Sequence, residues 1–152
     1  MGTLRVLFVC THNSARSQMA EGFLREYGAG RFEVFSAGTE ASAVRTEAIE
    51  AMAEVGIDIS GQESKTVDRY LGESFAWVIT VCDQAREACP MFPGANETAH
   101  WGFDDPSAAA GDKEARMAVF RRVRDEIARR VRIFALAASR QDAPAPQPTV
   151  LS

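Results

Sequence analysis

The amino-acid sequence predicts a three-layer α/β domain: a four-stranded parallel sheet in the order 2-1-3-4, with helices on both faces. Short β-branched and aromatic runs at Leu4–Val9 (LRVLFV), Phe32–Ser36 and Phe75–Val81 (FAWVITV) have the composition of strands. Segments with apolar residues three or four apart follow them, so strand and helix alternate along the chain. Alternation of this kind gives parallel pairing with right-handed crossovers. With four strands to place in one small domain, the flavodoxin-like order is the economical arrangement.

Leu4–Val9 is apolar at nearly every position, the mark of a strand buried on both faces. Ser17–Tyr27 follows as a helix, with Met19, Ala20, Phe23, Leu24 and Tyr27 at helical spacing and Gly28 as its stop. Phe32–Ser36 is the second strand, closed by Ala37-Gly38. A second helix fits Arg45–Val55, where Ala48, Ile49, Met52 and Val55 share one face and Gly56 takes the C′ position. After the third strand, Asp83–Ala88 is a short helix or turn broken by Pro90 and Pro93, and His100–Phe103 is a short fourth strand. Lys113–Ala137 is the longest periodic segment, with Met117, Phe120, Val123, Ile127, Val131 and Phe134 on its core stripe. Its arginines, Arg121, Arg122, Arg124, Arg129, Arg130 and Arg132, share the helix with Glu114, Asp125 and Glu126 and read as a solvated face rather than a nucleic-acid patch. Residues 1–138 thus make one domain, and the Pro-rich tail 139–152 is expected to be disordered.

Composition narrows the function classes. Of 152 residues, 46% are hydrophobic and 25% charged, which excludes a mostly disordered chain. Seventeen Lys+Arg against 21 Asp+Glu give a net charge of −4, so no broad basic field exists to hold nucleic acid or an anionic membrane. No stretch approaches the ~18 apolar residues of a membrane span. The apolar start runs straight into polar Thr11–Gln18 without a signal-peptide cleavage site, so a cytoplasmic location with reduced thiols is expected. Three cysteines without a CxxC pair, and two histidines, suit neither a disulfide scaffold nor a closed zinc site. No metal centre or tightly bound cofactor is expected, and no extra apolar stripe argues for more than a monomer.

In the 2-1-3-4 order, ligands bind beyond the carboxyl ends of strands 1 and 3, where the chain winds to opposite sides. Cys10 ends strand 1 and Cys82 ends strand 3, and neighbouring strands lie only ~4.8 Å apart. Either cysteine alone has the character of a small buried apolar residue. Both together at the switch point indicate a dithiol site. Between Cys10 and the helix stand Thr11, His12, Asn13, Ser14, Ala15, Arg16 and Ser17. Their backbone N–H groups and the helix N-terminus can curl into a nest for a tetrahedral oxyanion, to which Arg16 adds a bidentate fork. The same donors would lower the Cys10 pKa from ~8.5 into the ~3.5–7.5 range. Asn13 tolerates the left-handed conformation of a tight nest, and the hydroxyl of Ser17 or Ser14 can reach the sulfur.

Cys-x5-Arg-Ser between strand and helix is the pattern by which the chain resembles the low-molecular-weight protein tyrosine phosphatase superfamily, over nearly its whole length to about Leu136. Within it, the sequence is most similar to the thioredoxin-coupled arsenate reductases. The carrying motifs are VCTHNSARSQMAEG (Val9–Gly22), SAGT (Ser36–Thr39), EAMAEVGIDIS (Glu50–Ser60), VCDQAREACP (Val81–Pro90) and HWGFDDP (His100–Pro106). Asp105-Pro106 matches the superfamily's general-acid motif. The residues alone leave Asp104 and Asp105 equivalent, with a turn before proline as the plain alternative. His12 and His100 receive no role.

The resemblance implies a thiol relay. Cys10 attacks arsenate held by the loop and Arg16, and Asp105 protonates the departing oxygen. Cys82 then attacks Cys10, releasing arsenite, and Cys89 moves the disulfide to Cys82–Cys89. A disulfide needs Cα atoms ~4.4–6.8 Å apart, whereas an intact helix over 82–89 holds them ~10 Å apart, so that segment must unwind. A thioredoxin-like protein supplies the electrons, with glutaredoxin- and mycothiol-linked systems as alternatives. Phosphate or sulfate would compete with arsenate. The phosphatases often carry a second cysteine just before the Arg, where this chain has Ala15. Related reductases often have an acidic residue near position 65, which with Asn13, Glu21 and Ser36 encloses a monovalent cation such as potassium. Here Lys65 either replaces that cation by pairing with Glu21 or is simply exposed. Two other readings stand beside the reductase: a low-molecular-weight tyrosine phosphatase, and a non-enzymatic thiol module that binds arsenite or another soft metal.

Overall fold

A computed structural model of the chain describes residues 3–83 and 92–142, with side chains in the last helix described to Ala138. Four parallel strands, β1 (Leu4–Cys10), β2 (Phe32–Gly38), β3 (Phe75–Thr80) and β4 (Ala95–His100), stand in the order β2-β1-β3-β4. This is the expected α/β architecture. β1 is central, pairing Val9 with Ala37 on one side and with Thr80 on the other. Its residues Val6, Leu7, Phe8 and Val9 are all fully buried, so both of its faces are covered.

Three helices are described: α1 (Arg16–Gly28), α2 (Thr46–Ala53) and α3 (Lys113–Asp142). α3 packs on α1 and α2. The stripe read from the sequence is its inner face, since Met117, Phe120, Val123, Ile127, Val131 and Phe134 are all buried. Phe134 meets the rings of Phe32, Trp77 and Trp101, joining the helix to the sheet. Each large side chain buried this way stabilises the fold by ~1.5–3 kcal/mol.

Several boundaries differ from the sequence reading, each for a physical reason. Gly28 is the last residue of α1, and the left-handed turn falls on Ala29 (φ 49°). Gly28 is needed for closeness instead, because a Cβ there would lie 2.4 Å from the Phe32 ring. α2 ends at Ala53, and Val55 is exposed rather than on the core face; Gly56 turns the chain at φ 82°. The fourth strand is Ala95–His100, not His100–Phe103. It is a polar, half-exposed edge strand, where an apolar run gives no signal. The 101–103 segment still extends the pairing, with the N–H groups of Trp101 and Phe103 donating to Thr80 O and Val81 O. Arg124 is not on a solvated face: it is buried, donating to Ala51 O and pairing with Glu54 at 2.8 Å. α3 continues to Asp142, past the helix end expected at Ala137, and residues 143–152 of the expected tail lie outside the described residues.

Candidate functional site

The loop after β1 turns its carbonyls outward. Cys10 O accepts from Thr39 N, Thr11 O from Glu40 N, Ser14 O from Arg45 N, and His12 O from the Ser64 hydroxyl. Asn13 O accepts from the Gln18 side chain. With five consecutive carbonyls bonded outward, the opposite edges of the peptides carry N–H groups inward, and α1 begins at Arg16 with no side-chain cap on Ala15. The positive end of the helix thus faces the same hollow.

Asn13 makes this turn possible. Its φ of 50° is left-handed, as its side chain permits. Its amide is spent on both ends: Nδ2 donates to Ser17 Oγ (2.8 Å) and Ser36 Oγ (2.9 Å), while Oδ1 accepts from Gln18 Nε2 and Lys65 N at 2.9 Å each. Ser36 Oγ in turn donates to Glu21 at 2.6 Å, and Arg25 pairs with the other oxygen of that carboxylate. Behind the loop lies Lys65, buried, with Nζ 4.0 Å from Glu21 Oε1 and bonded to Glu63 O. Burial lowers the Lys65 pKa, and the Glu21 charge opposes that shift.

On the open side is a cavity of about 250 Å³ lined by Cys10, Arg16 and Asp105 among others. Arg16 is buried, with Nη1 donating to Phe103 O at 3.0 Å and Nη2 lying 3.7 Å from Asp105 Oδ2. The geometry separates the two aspartates. Asp105 lines the cavity, its Oδ1 accepting from Ser107 N, whereas Asp104 pairs outward with Arg122 at 3.3 Å. His12, Ser14 and Ala15 line the same cavity. His100 bridges Thr80 and Asp83 at 2.8 Å each.

β3 stops at Thr80, but Val81 N donates to Val9 O, so pairing with β1 continues and delivers Cys82 beside Cys10. Both thiols are buried and unbridged. They hydrogen-bond to each other, and that contact, together with burial, pushes the Cys10 pKa up, while Arg16 and the Thr11 N–H pull it down. This corrects the expectation of a simply lowered Cys10. The sequence reading counted the donors around the sulfur and left out the neighbouring thiol, with which it must share ionisation. Thr11 Oγ1 lies 3.2 Å from Cys82 Sγ, and Ser17 Oγ accepts from Asn13 Nδ2. Cys89 lies outside the described residues, as does most of the segment expected to unwind.

The sequence reading missed Gln18, Ser42, Arg45 and Ser107. Gln18 is fully buried and clamps the loop, and the other three line the cavity. A buried glutamine in a helix's first turn leaves no periodic trace, and Arg45 and Ser107 come from distant segments.

Residues 5–143 match the low molecular weight phosphotyrosine protein phosphatase family. The chain belongs to that family. Among curated relatives, it is 50% identical over 130 residues to the arsenate reductase of Halalkalibacterium halodurans, covering 86% of this chain and 94% of that one. It is 47% identical to the arsenate reductase of Bacillus subtilis with the same coverage. A solved arsenate reductase in its phosphate-binding state superposes with a TM-score of 0.78 at 37% identity, covering 89% of this chain and 98% of that one. A thioredoxin-dependent arsenate reductase of Corynebacterium glutamicum gives 0.67 at 30% identity, covering 91% of this chain and 63% of that one.

Proposed function

We propose that this family member reduces arsenate to arsenite through Cys10, Cys82 and Cys89 in turn, with a thioredoxin-like dithiol protein as the electron source. The observation that carries the reading is the contact between the Cys10 and Cys82 thiols at the edge of an oxyanion nest. A phosphatase mechanism has no use for a second thiol there.

Arsenate sits in the nest with Arg16 on two of its oxygens. The Cys10 thiolate attacks arsenic, an S–As bond forms, and an As–O bond breaks; the departing oxygen takes a proton from Asp105 and leaves as water. The Cys82 thiolate then attacks Cys10 Sγ. The new S–S bond displaces arsenic with the electron pair of the S–As bond, so As(V) becomes As(III) and leaves as arsenite. Thr11 Oγ1, 3.2 Å from Cys82 Sγ, is placed to donate to that thiolate. Finally Cys89 attacks Cys82, restoring the Cys10 thiolate and leaving a Cys82–Cys89 disulfide for the external dithiol. Because burial and mutual contact hold the first thiol above its ordinary value, the rate should climb as pH rises toward the alkaline side.

Behind the loop the Lys65 ammonium stands 4.0 Å from Glu21 Oε1, and in this reading its charge takes the place that a potassium ion would hold beside Asn13, Glu21 and Ser36.

The test is arsenate turnover with purified thioredoxin, thioredoxin reductase and NADPH, run beside a glutathione/glutaredoxin mixture. Cys89→Ser should complete one turnover and stop with a Cys10–Cys82 disulfide. Sustained turnover by that variant would end the relay, and brisk aryl-phosphate hydrolysis surviving Cys82→Ser would turn the reading to a phosphatase.

A further inference from the structure

Among the described residues, three buried side-chain polar atoms have no hydrogen-bond partner: Arg16 Nε, Arg45 Nε and Ser107 Oγ. All three belong to residues lining the cavity over Cys10. A buried donor without a partner costs about 1–3 kcal/mol, so three around one hollow are better explained by a shared ligand than by accident of packing. Arg16 belongs to the loop's own motif. Arg45 and Ser107 do not.

We propose that Arg45 and Ser107 form a second wall of the oxyanion site, binding the outward-facing oxygens of a free inorganic oxyanion and favouring it over a phosphate ester. The nest and Arg16 grip the oxygens on the loop side, which arsenate, phosphate and a phosphate monoester all share. They differ at the outward oxygen, which bears charge or a proton in the inorganic anion and carbon in the ester. A guanidinium opposite that oxygen rewards the first and gains little from the second.

The structure holds Arg45 ready for this role. Its backbone N–H donates to Ser14 O, tying it to the nest itself. Its Nη2 donates to Glu47 at 3.3 Å, which fixes the side chain yet leaves Nε unused. Glu47 does not cancel the charge, because Arg116 also pairs with it at 3.7 Å, and two guanidiniums around one carboxylate leave a net positive charge. Ser107 is held by its N–H donating to Asp105 Oδ1, and the residue lines the cavity beside the proposed acid.

The inference rests on the substrate being an inorganic oxyanion, and it is tested without turnover. Calorimetric titration with inorganic phosphate and with phenyl phosphate is run on the wild-type protein, Arg45→Gln, Arg45→Lys and Ser107→Ala. Arg45→Gln should weaken phosphate about tenfold or more and phenyl phosphate less than about threefold. Lys should restore part of the loss, since it returns the charge without the fork. In arsenate assays, Arg45→Gln should raise KM by a similar factor with little change in kcat. Equal weakening of both ligands, or of neither, overturns the proposal, and so does a fall in kcat at unchanged KM. Should the wild-type protein fail to reduce arsenate while Arg45→Gln still loses phosphate selectively, the reductase reading fails and this one stands.

Discussion

The two sides of the Cys10–Ser17 loop are built on opposite principles. Behind it, Asn13, Ser17, Gln18, Glu21, Ser36 and Lys65 are all buried, and each has a polar partner within the cluster. In front, the cavity gathers the described residues' unpartnered buried polar atoms around the Cys10 thiol and an aspartate. The rear spends hydrogen bonds on shape, and the front holds them back for a ligand. Substitutions in front should therefore change activity with little change in stability, and substitutions behind should do the reverse.

The largest effect expected is at the front. Cys10→Ser should abolish arsenate turnover, because no other group can form the first covalent bond, while shifting stability by no more than about 1 kcal/mol. Arsenate reduction and a urea melt on the same preparation check both halves. Next, Asp105→Asn should lower kcat about 10²–10⁴-fold, whereas Asp104→Asn, which only loses its outward pairing with Arg122, should stay near wild type. Equal losses from the two would mean that the cavity placement of Asp105 carries no catalytic meaning.

Crossing to the rear, Asn13→Ala strips partners from Ser17, Ser36, Gln18 and the Lys65 N–H at once, and places alanine at φ 50°. At about 1–3 kcal/mol for each buried group left unsatisfied, it should be the most destabilising single change in the loop. A lower urea midpoint at unchanged slope would confirm it. A wild-type melt would deny that the rear network sets the loop's shape.

The sequence made the front more legible than the rear. Cys10 and Cys82 end neighbouring strands, so the switch-point argument places them together without any motif, and Arg16 stands six residues after Cys10 at a helix start, whereas Asp105 is set apart from Asp104 only by the resemblance. The rear depends on Gln18 folding back onto Asn13 and on Lys65 arriving from 52 residues away, contacts that no local periodicity encodes. The same limit explains β4. Ala95–His100 is an edge strand with exposed polar residues, so its pairing with β3 is a tertiary fact rather than a sequence pattern. Even at the front, the direction of the Cys10 shift was misread, because a neighbouring thiol acts through space.

That shift offers a smaller, graded test. Since the contact with Cys82 is the first cause raising Cys10, replacing it in Cys82→Ser should move the pH midpoint of Cys10 alkylation downward. Burial still opposes ionisation in the variant, but Arg16 and the Thr11 N–H then act without a competing acid. Iodoacetamide rates followed against pH read this directly, and an upward movement would contradict the shared-ionisation account.

The smallest expected effect is none at all, and it tests the rear most closely. With the Lys65 ammonium beside Glu21, exchanging sodium for potassium at constant ionic strength should leave the arsenate reduction rate unchanged near neutral pH. Burial makes Lys65 lose its proton at lower pH than an ordinary lysine, with Glu21 and Glu63 resisting and Arg25 and Arg69 assisting. As pH rises through that lowered value, Glu21 loses a neighbouring charge, and sensitivity to potassium should emerge on the alkaline side first. Lys65→Met removes the ammonium at every pH, so its activity and its melting temperature should both become potassium-dependent at neutrality. A wild-type rate that rises steeply with potassium at neutral pH would place a mobile cation behind the loop and leave Lys65 as a bystander.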